Sequence, residues 1–288
     1  MLNRSAIKEI VRHYHLAISP RRLGQHFLVG GKVLERITAE LQATAQDRIL
    51  EIGAGLGSLT ECLLGTGAMV YAVERDARFI HVLTDRFKDS QRIQVVRSDI
   101  LKMDLSPYAA LEPHSLLVVG NIPYSLTSPI LEFLARQRQW VRRAVLTIQK
   151  EVAVRIVAKP GSKAYSNLSF FVSVAFRPGV AFTIPPSFFY PQPRVTSAVL
   201  RLDPLPEPVV PPEEEEDLLK FVRAIFLHRR KTLLNAIRMA GLVSDPSVLA
   251  QGLRQSGIDP NRRPETLLLP EWIQLRRCLA PPPPFVNR

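Results

Sequence analysis

Three short segments carry side chains whose types and spacing could do chemistry together. Glu51-Ile-Gly-Ala-Gly-Leu-Gly57 follows an apolar run and opens a helical pattern. Glycines there let a ligand approach the backbone, and the amides of such a turn favour an anionic group. The spacing at Gly53, Gly55 and Gly57 is G-x-G-x-G, which departs from the dinucleotide fingerprint G-x-G-x-x-G. Glu74 lies 21 residues after Gly53, where a carboxylate can accept hydrogen bonds from both hydroxyls of a ribose. Asp99 follows the next apolar run and could accept from an adenine amino group. Any one of these alone is explained by a tight turn or a solvated carboxylate. Their registration at successive strand ends points to one crevice, and at this stage NAD and S-adenosylmethionine both remain open as its ligand.

Gly120-Asn-Ile-Pro-Tyr124 narrows the choice. It offers the amide oxygen of Asn121, a backbone carbonyl beside Pro123 and the aromatic face of Tyr124. Two such acceptors can hold both N–H bonds of an exocyclic amino group while the ring stacks on tyrosine. With both hydrogens engaged, the nitrogen lone pair is less conjugated and can face an electrophilic methyl group. Transfer then depends on positioning more than on acid–base chemistry. No residue set resembles a hydride-transfer site, which leaves an NAD oxidoreductase little support.

These segments need a scaffold that gathers strand ends. Residues 48–52, 69–73, 93–96, 116–119 and 144–148 read as strands, most too continuously apolar to have a wet face. Residues 58–64, 77–87 and 128–136 read as helices between them, so the expected fold is α/β, a Rossmann-like, doubly wound and largely parallel sheet. Residues 167–176 and 195–202 read as two further strands. Five prolines in 203–212 then mark a linker, and the acidic run 213–217 suits the first turn of a helix. Beyond it, 218–227, 232–240, 246–256 and 264–279 read as helices of a small all-helical domain. The expected division is an N-terminal arm 1–20 that orders on binding, a catalytic domain 21–204, a linker 205–212, a helical domain 213–280 and a proline-rich tail 281–288.

The charge balance adds a partner class. The chain has 38 Lys+Arg against 26 Asp+Glu, a net charge of +12, and residues 1–204 hold 26 of the basic and 16 of the acidic residues. A cationic surface concentrates polyanions, so nucleic acid leads the candidate partners. The two cysteines, Cys62 and Cys278, form neither a disulfide framework nor a metal-ligand set, so no metal is expected. With no apolar run long enough for a membrane span and no signal-like leader, the expected location is the cytoplasm.

Leu23-Gly-Gln-His-Phe-Leu28, Glu51 to Gly57, Asn121-Ile-Pro-Tyr124, Phe189-Tyr-Pro-Gln-Pro-Arg-Val-Thr-Ser-Ala-Val199 and Phe226-Leu-His-Arg-Arg-Lys-Thr-Leu-Leu-Asn235 together resemble the ribosomal RNA adenine dimethyltransferases of the KsgA type. The motifs occur in family order over nearly the whole chain. The resemblance implies a class I methyltransferase that uses S-adenosylmethionine, releases S-adenosylhomocysteine, and converts two adjacent adenosines near the 3′ end of small-subunit rRNA to N6,N6-dimethyladenosine. It also implies that His26 and Leu28 line the cofactor pocket, with Gly53 and Gly55 against the cofactor, Glu74 on its ribose and Asp99 on its adenine. Asn121 would hold the target amine and complete the cofactor site, with Pro123 stiffening the loop and Tyr124 and Phe189 sandwiching the target base. Two departures stand out: His26 occupies a position where many relatives carry Asn, and Ala54 one where proline is frequent.

The candidate RNA contacts are Arg21, Arg22, Arg142, Arg143, Arg229, Arg230 and Lys231, because arginine binds phosphate bidentately and stacks on bases. The expected partner is rRNA within an immature 30S particle, with no membrane and no second copy of the chain. An assembly checkpoint that binds immature subunits, with methylation secondary, is one alternative. A large-subunit rRNA methyltransferase of the macrolide-resistance type is another, against which the long helical C-terminal part and residues 226–235 argue.

Overall fold

The structure is a computed structural model and describes residues 2–18 and 25–279. The chain divides into two compact units. The first runs to Val154 and resumes over Phe176–Pro204; the second comprises Arg155–Ala175 and the chain from Leu205 onward.

The first unit opens with α1 (Arg4–His13), β1 (Phe27–Leu28) and α2 (Gly31–Leu41). Then come β2 (Arg48–Ile52), α3 (Ser58–Leu64), β3 (Met69–Glu74), α4 (Ala77–Arg86), β4 (Ile93–Arg97), β5 (Leu116–Asn121), α5 (Thr127–Arg136), β6 (Val141–Gln149) and α6 (Lys150–Ile156). After a passage through the second unit, β7 (Phe176–Ile184), β8 (Phe189–Tyr190) and β9 (Ser197–Pro204) complete it.

Seven strands form one sheet in the order β4-β3-β2-β5-β6-β9-β7. The first five of these run parallel, and β9 is antiparallel to both β6 and β7. The α/β sheet expected from the sequence is thus present, and the apolar runs Leu116–Val119 and Ala144–Leu146 are fully buried in its centre. Because the chain steps outward from β2 through β3 to β4 and then returns to the other side of β2 as β5, the order reverses between β2 and β5. Such a switch point opens a crevice at the carboxyl ends of the strands.

Residues 2–18 are not a loose arm. Asn3 caps α1 by accepting from Ala6 N, and Ile7, Ile10, Val11 and Tyr14 repeat at helical spacing on one face. That face packs with Leu16, Val29, Leu56, Phe79 and Val82, leaving Ile7 wholly buried. Arg4 donates to the Ser187 carbonyl at 2.6 Å and the Tyr14 hydroxyl to Asp85 at 3.0 Å. Burial of these side chains, at about 1.5–3 kcal/mol for each one fully buried, opposes the entropy an arm would keep.

The second unit is helical: α7 (Asn167–Ala175), α8 (Pro212–Phe226), α9 (Leu233–Met239), α10 (Pro246–Ser256) and α11 (Leu269–Leu279). Two expectations change here. Residues 167–175 form a helix rather than a strand. Their apolar run has no period that separates the two, and what decides is Ser166, which starts the helix with its N–H bonded to Ser169 Oγ at 3.0 Å, while Phe170 and Val174 enter the helical core. Residues 155–175 therefore belong with the helices and not with the sheet. The proline-rich stretch is also tied down, since Leu205 N donates to Ala175 O and Val210 is buried in the same core. The acidic residues Glu213 to Glu215 do occupy the first turn of α8, as expected. No helix among the described residues is long and apolar enough to cross a membrane. The tail 281–288 lies outside the described residues.

Candidate active site

Four strand ends of the first unit deliver the chemistry-bearing residues to one side of the sheet. After β2 the chain turns over the end of β3, with Gly53 N and Ala54 N both donating to Val73 O at 2.9 and 3.1 Å. Gly53 has φ +71° and open space where a Cβ would stand, so a ligand can lie directly on its backbone. Ala54 packs with Ala72 and Leu83. Glu74 ends β3 and fastens this turn: Oε2 accepts from Gly55 N at 2.9 Å, and Oε1 accepts from Arg75 N and Asp76 N at 2.7 and 2.9 Å. Burial nevertheless raises its pKa, outweighing these three N–H groups. Asp99 caps the short turn after β4 through Leu101 N at 3.2 Å and keeps its other oxygen 3.6 Å from Arg75.

The turn rests on a residue that the motif reading left without a role. Glu51 is buried, and its Oε2 accepts from Thr60 Oγ1 at 2.5 Å. Burial, with the nearby Glu74 carboxylate adding to it, pushes its pKa up to about 7 from 4.5, against the opposing Thr60 bond. Between those two values the folded protein holds a proton that the unfolded chain has lost, so stability falls as pH rises through this window and the deficit is complete above about 7. Glu51→Gln keeps the acceptor for Thr60 and removes the charge. It should be more stable than wild type at pH 8 by up to about 3 kcal/mol, and equal to it at pH 4. Urea unfolding at the two pH values checks this; an equal difference at both would place the pH-dependence elsewhere.

Asn121 ends β5, directly after Gly120. A Cβ on Gly120 would sit 2.8 Å from Ile52 O of β2, so glycine is what lets β5 lie against β2 here. The Asn121 amide is oriented by a remote partner: Nδ2 donates to the His26 backbone carbonyl at 2.6 Å. With Nδ2 committed, Oδ1 is the acceptor free to meet an incoming amine. Pro123 leads into a turn closed by Leu126 N on its carbonyl, and Tyr124 stands half-buried with its hydroxyl 2.9 Å from Ser197 Oγ. Burial raises the Tyr124 pKa and the Ser197 bond opposes this, so the phenol stays neutral. Ser197, at the start of β9, gave no local signal of this pairing.

Two expected site residues are buried. Leu28 and Phe189 face each other across the β1–β8 ladder and are 3% and 1% exposed, packed with Leu34, Ile184 and Val199 in the core. Successive strand residues point to opposite faces, so Leu28 and Phe189 enter this core while Phe27, Val29 and Tyr190 pack with α1. The His26 ring lies beside that of Tyr124, with centroids 6.1 Å apart and planes inclined by 25°.

The cations expected to touch RNA also sort. Arg142 pairs with Asp47 at 2.8 Å, and Arg143 with Asp203 at 2.6 Å and with Gln42 at 2.7 Å. Arg229 donates to the Tyr165 carbonyl at 3.2 Å. These three hold structure together. Arg230 and Lys231 are exposed, with no side-chain partner among the described residues. Arg21 and Arg22 lie outside the described residues.

The donor set fits S-adenosylmethionine. An open glycine turn suits its amino-acid end, and Glu74 and Asp99 offer acceptors to hydroxyl and amino groups further along the crevice.

Comparison with known proteins agrees with this donor set. A family model described as ribosomal RNA adenine dimethylase matches residues 19–264. The chain is 40% identical over 260 residues to ribosomal RNA small subunit methyltransferase A of Geobacter metallireducens, covering 90% of this chain and 94% of that one. It is 37% identical over 278 residues to the protein of the same name from Alkaliphilus metalliredigens, covering 96% of each. Among solved structures it is similar to a dimethyladenosine transferase from Plasmodium falciparum, with a TM-score of 0.73 and 25% identity over 87% of this chain and 96% of that one. The 23S rRNA methyltransferase ErmE shares the fold, with a TM-score of 0.68 and 23% identity.

Proposed function

The chain belongs to the ribosomal RNA adenine dimethylase family, and on that footing we propose that it dimethylates N6 of two adjacent adenosines near the 3′ end of small-subunit rRNA, working as a single copy on an immature 30S particle in the cytoplasm. The observation that carries this reading is the Asn121 carboxamide, whose Nδ2 is tied to His26 O and whose Oδ1 is left to accept. An adenine amino group needs acceptors, and Asn121 Oδ1 with the Ile122 carbonyl supplies two. Tyr124 supplies a face for the base, since bases stack on aromatic rings with little regard to sequence. An adenine within a duplex must leave its stack to reach such a slot.

Bound at the glycine turn, S-adenosylmethionine supplies an electrophilic methyl group. Glu74 and Asp99 would hold the cofactor by its hydroxyl and amino ends and Asn121 the attacking nitrogen. As the nitrogen–methyl bond forms the methyl–sulfur bond breaks, S-adenosylhomocysteine leaves and the amine's surplus proton passes to water. Holding both partners in line is the larger part of the catalysis, because well-oriented reactants gain about 7–11 kcal/mol over free encounter. A second transfer meets an amine with one remaining N–H, for which one of the two acceptors suffices.

Incubating the protein with labelled S-adenosylmethionine and small subunits that lack the two modifications, then analysing rRNA nucleosides by mass spectrometry, tests the function. Dimethyladenosine in small-subunit rRNA is expected. Label only in large-subunit RNA, or none despite cofactor binding, would refute it.

For RNA binding, Arg230 and Lys231 are the phosphate contacts in the second unit. Changing both to glutamine should lower the slope of log affinity against log salt by about 2, near 1 for each lost phosphate contact. Arg142→Gln should leave the slope unchanged, since that guanidinium is engaged by Asp47.

A further inference from the structure

The glycine turn that seats the cofactor is held from two sides. Gly55 and Gly57 have φ +55° and +78°, a backbone that keeps wide freedom unless neighbouring groups fix it. The front of the turn is fixed from β3, by Val73 O and by Glu74 on Gly55 N. Its back, Leu56 and Gly57, is fixed from the last residue of α4. Arg86 Nη1 donates to the Leu56 carbonyl, and Nη2 donates to Glu61 Oε2 of α3 at 3.1 Å. The Gly57 N–H donates to Ala54 O at 2.9 Å. The Leu56 carbonyl and the Gly57 N–H belong to one planar peptide unit, so that unit is gripped at both ends. A Cβ on Gly57 would stand 2.6 Å from the Phe87 ring and 2.9 Å from Arg86, which shows how closely the end of α4 lies against the turn. The Arg86 side chain is 18% exposed, and its guanidinium lies 5.0 Å from the centre of the Phe87 ring. A guanidinium suits this place, because its planar fork reaches a carbonyl and a carboxylate at once and stays charged.

We propose that Arg86 is a positioning residue for the methyl donor: by gripping the Leu56 carbonyl it holds the glycine turn, before any ligand arrives, in the shape that S-adenosylmethionine binds. The inference rests on that turn as the seat of the cofactor. Order already present in the free protein need not be imposed by the ligand, so affinity is kept. Releasing the Leu56–Gly57 unit returns backbone freedom that binding must then remove, and about tenfold weaker binding is expected. Once the cofactor is bound the turn is the same as in wild type, so the rate of transfer at saturation is retained. A raised KM with unchanged kcat is the signature of such a loss. The ion pair to Glu61 joins α4 to α3 and is separable from the grip on the turn.

The test uses the full chain, S-adenosylhomocysteine as the probe of the cofactor site, and small subunits lacking the two modifications as methyl acceptor. In Arg86→Ala, calorimetric affinity for S-adenosylhomocysteine should fall about tenfold and the KM for S-adenosylmethionine rise to match, with kcat within about twofold of wild type. Without ligand, amide hydrogen exchange over residues 53–57 should be faster than in wild type, and saturating S-adenosylhomocysteine should restore the protection. Glu61→Gln removes the charge from the ion pair and leaves the Leu56 grip, so its S-adenosylhomocysteine affinity should stay within about twofold even if it melts earlier. Arg86→Lys keeps the stem and the charge but cannot span both acceptors; if alanine prevents folding, lysine carries the same split at about threefold. An Arg86→Ala protein that melts earlier yet binds S-adenosylhomocysteine like wild type would overturn the proposal and leave Arg86 a structural residue. Equal loss of affinity in Glu61→Gln would assign the effect to the ion pair and overturn it as well. A fall in kcat with affinity unchanged would do the same. A wild type that binds S-adenosylhomocysteine and methylates no small-subunit adenine would refute the function, while the affinity and exchange measurements would still decide the role of Arg86.

Discussion

Replacing Asn121 with alanine is expected to lower methyl transfer by about two to three orders of magnitude, the loss typical of removing one well-placed polar group that acts on the reacting atoms. Affinity for the cofactor should change by less than about threefold, because the glycine turn, Glu74 and Asp99 are untouched. Asn121→Asp sharpens the reading. Aspartate keeps an acceptor oxygen but cannot donate to the His26 carbonyl, and its charge would face that carbonyl at the 2.6 Å now spanned by a hydrogen bond. It should therefore be nearly as poor as alanine. Single-turnover rates with saturating cofactor, alongside a cofactor titration, measure both quantities. An aspartate variant with wild-type rates would remove the His26 carbonyl from the account of how Asn121 is aimed, and equal loss of rate and cofactor affinity would contradict the assigned role.

Trp272→Ala should destabilise the second unit by about 3–5 kcal/mol, the range for emptying a large buried aromatic site. Trp272 is wholly buried, with the rings of Phe170, Phe221 and Phe226 at centroid distances of 6.0, 6.3 and 5.7 Å. It joins α11 to α7 and α8, so its removal loosens the unit that carries Arg230 and Lys231. Its Nε1 has no hydrogen-bond partner among the described residues, and an orphaned buried donor costs about 1–3 kcal/mol. Trp272→Phe removes that orphan while retaining most of the apolar contact, and should cost far less than alanine. Denaturant unfolding should show the second unit of the alanine variant unfolding at lower denaturant, with cofactor binding by the first unit preserved and methyl transfer to the subunit reduced. An alanine variant as stable as wild type would show that the aromatic cluster does not hold the helices together.

Much of the catalytic unit was legible because its signals are local. The expected strand at 48–52 and helix at 58–64 match β2 and α3 residue for residue, since a short, mostly apolar run ended by glycines has few other ways to fold. The same locality places Gly53, Glu74, Asp99 and Asn121 at successive strand ends, as a parallel sheet requires. The RNA contacts are less legible: a guanidinium has the same sequence signature whether it meets phosphate or Asp47 and Asp203.

What the amino-acid order determined by itself was the alternation of strands and helices, the glycine turn and the loop that presents Asn121 and Tyr124. Tertiary structure alone decided that α1 docks, that residues 167–175 coil into the helical core, that Phe189 turns inward and that His26 comes to lie beside Pro191, 165 residues away. The physical reason is range. Periodicity and turn chemistry act over a few residues, whereas burial and side-chain pairing are fixed by neighbours that become neighbours only when the chain has folded.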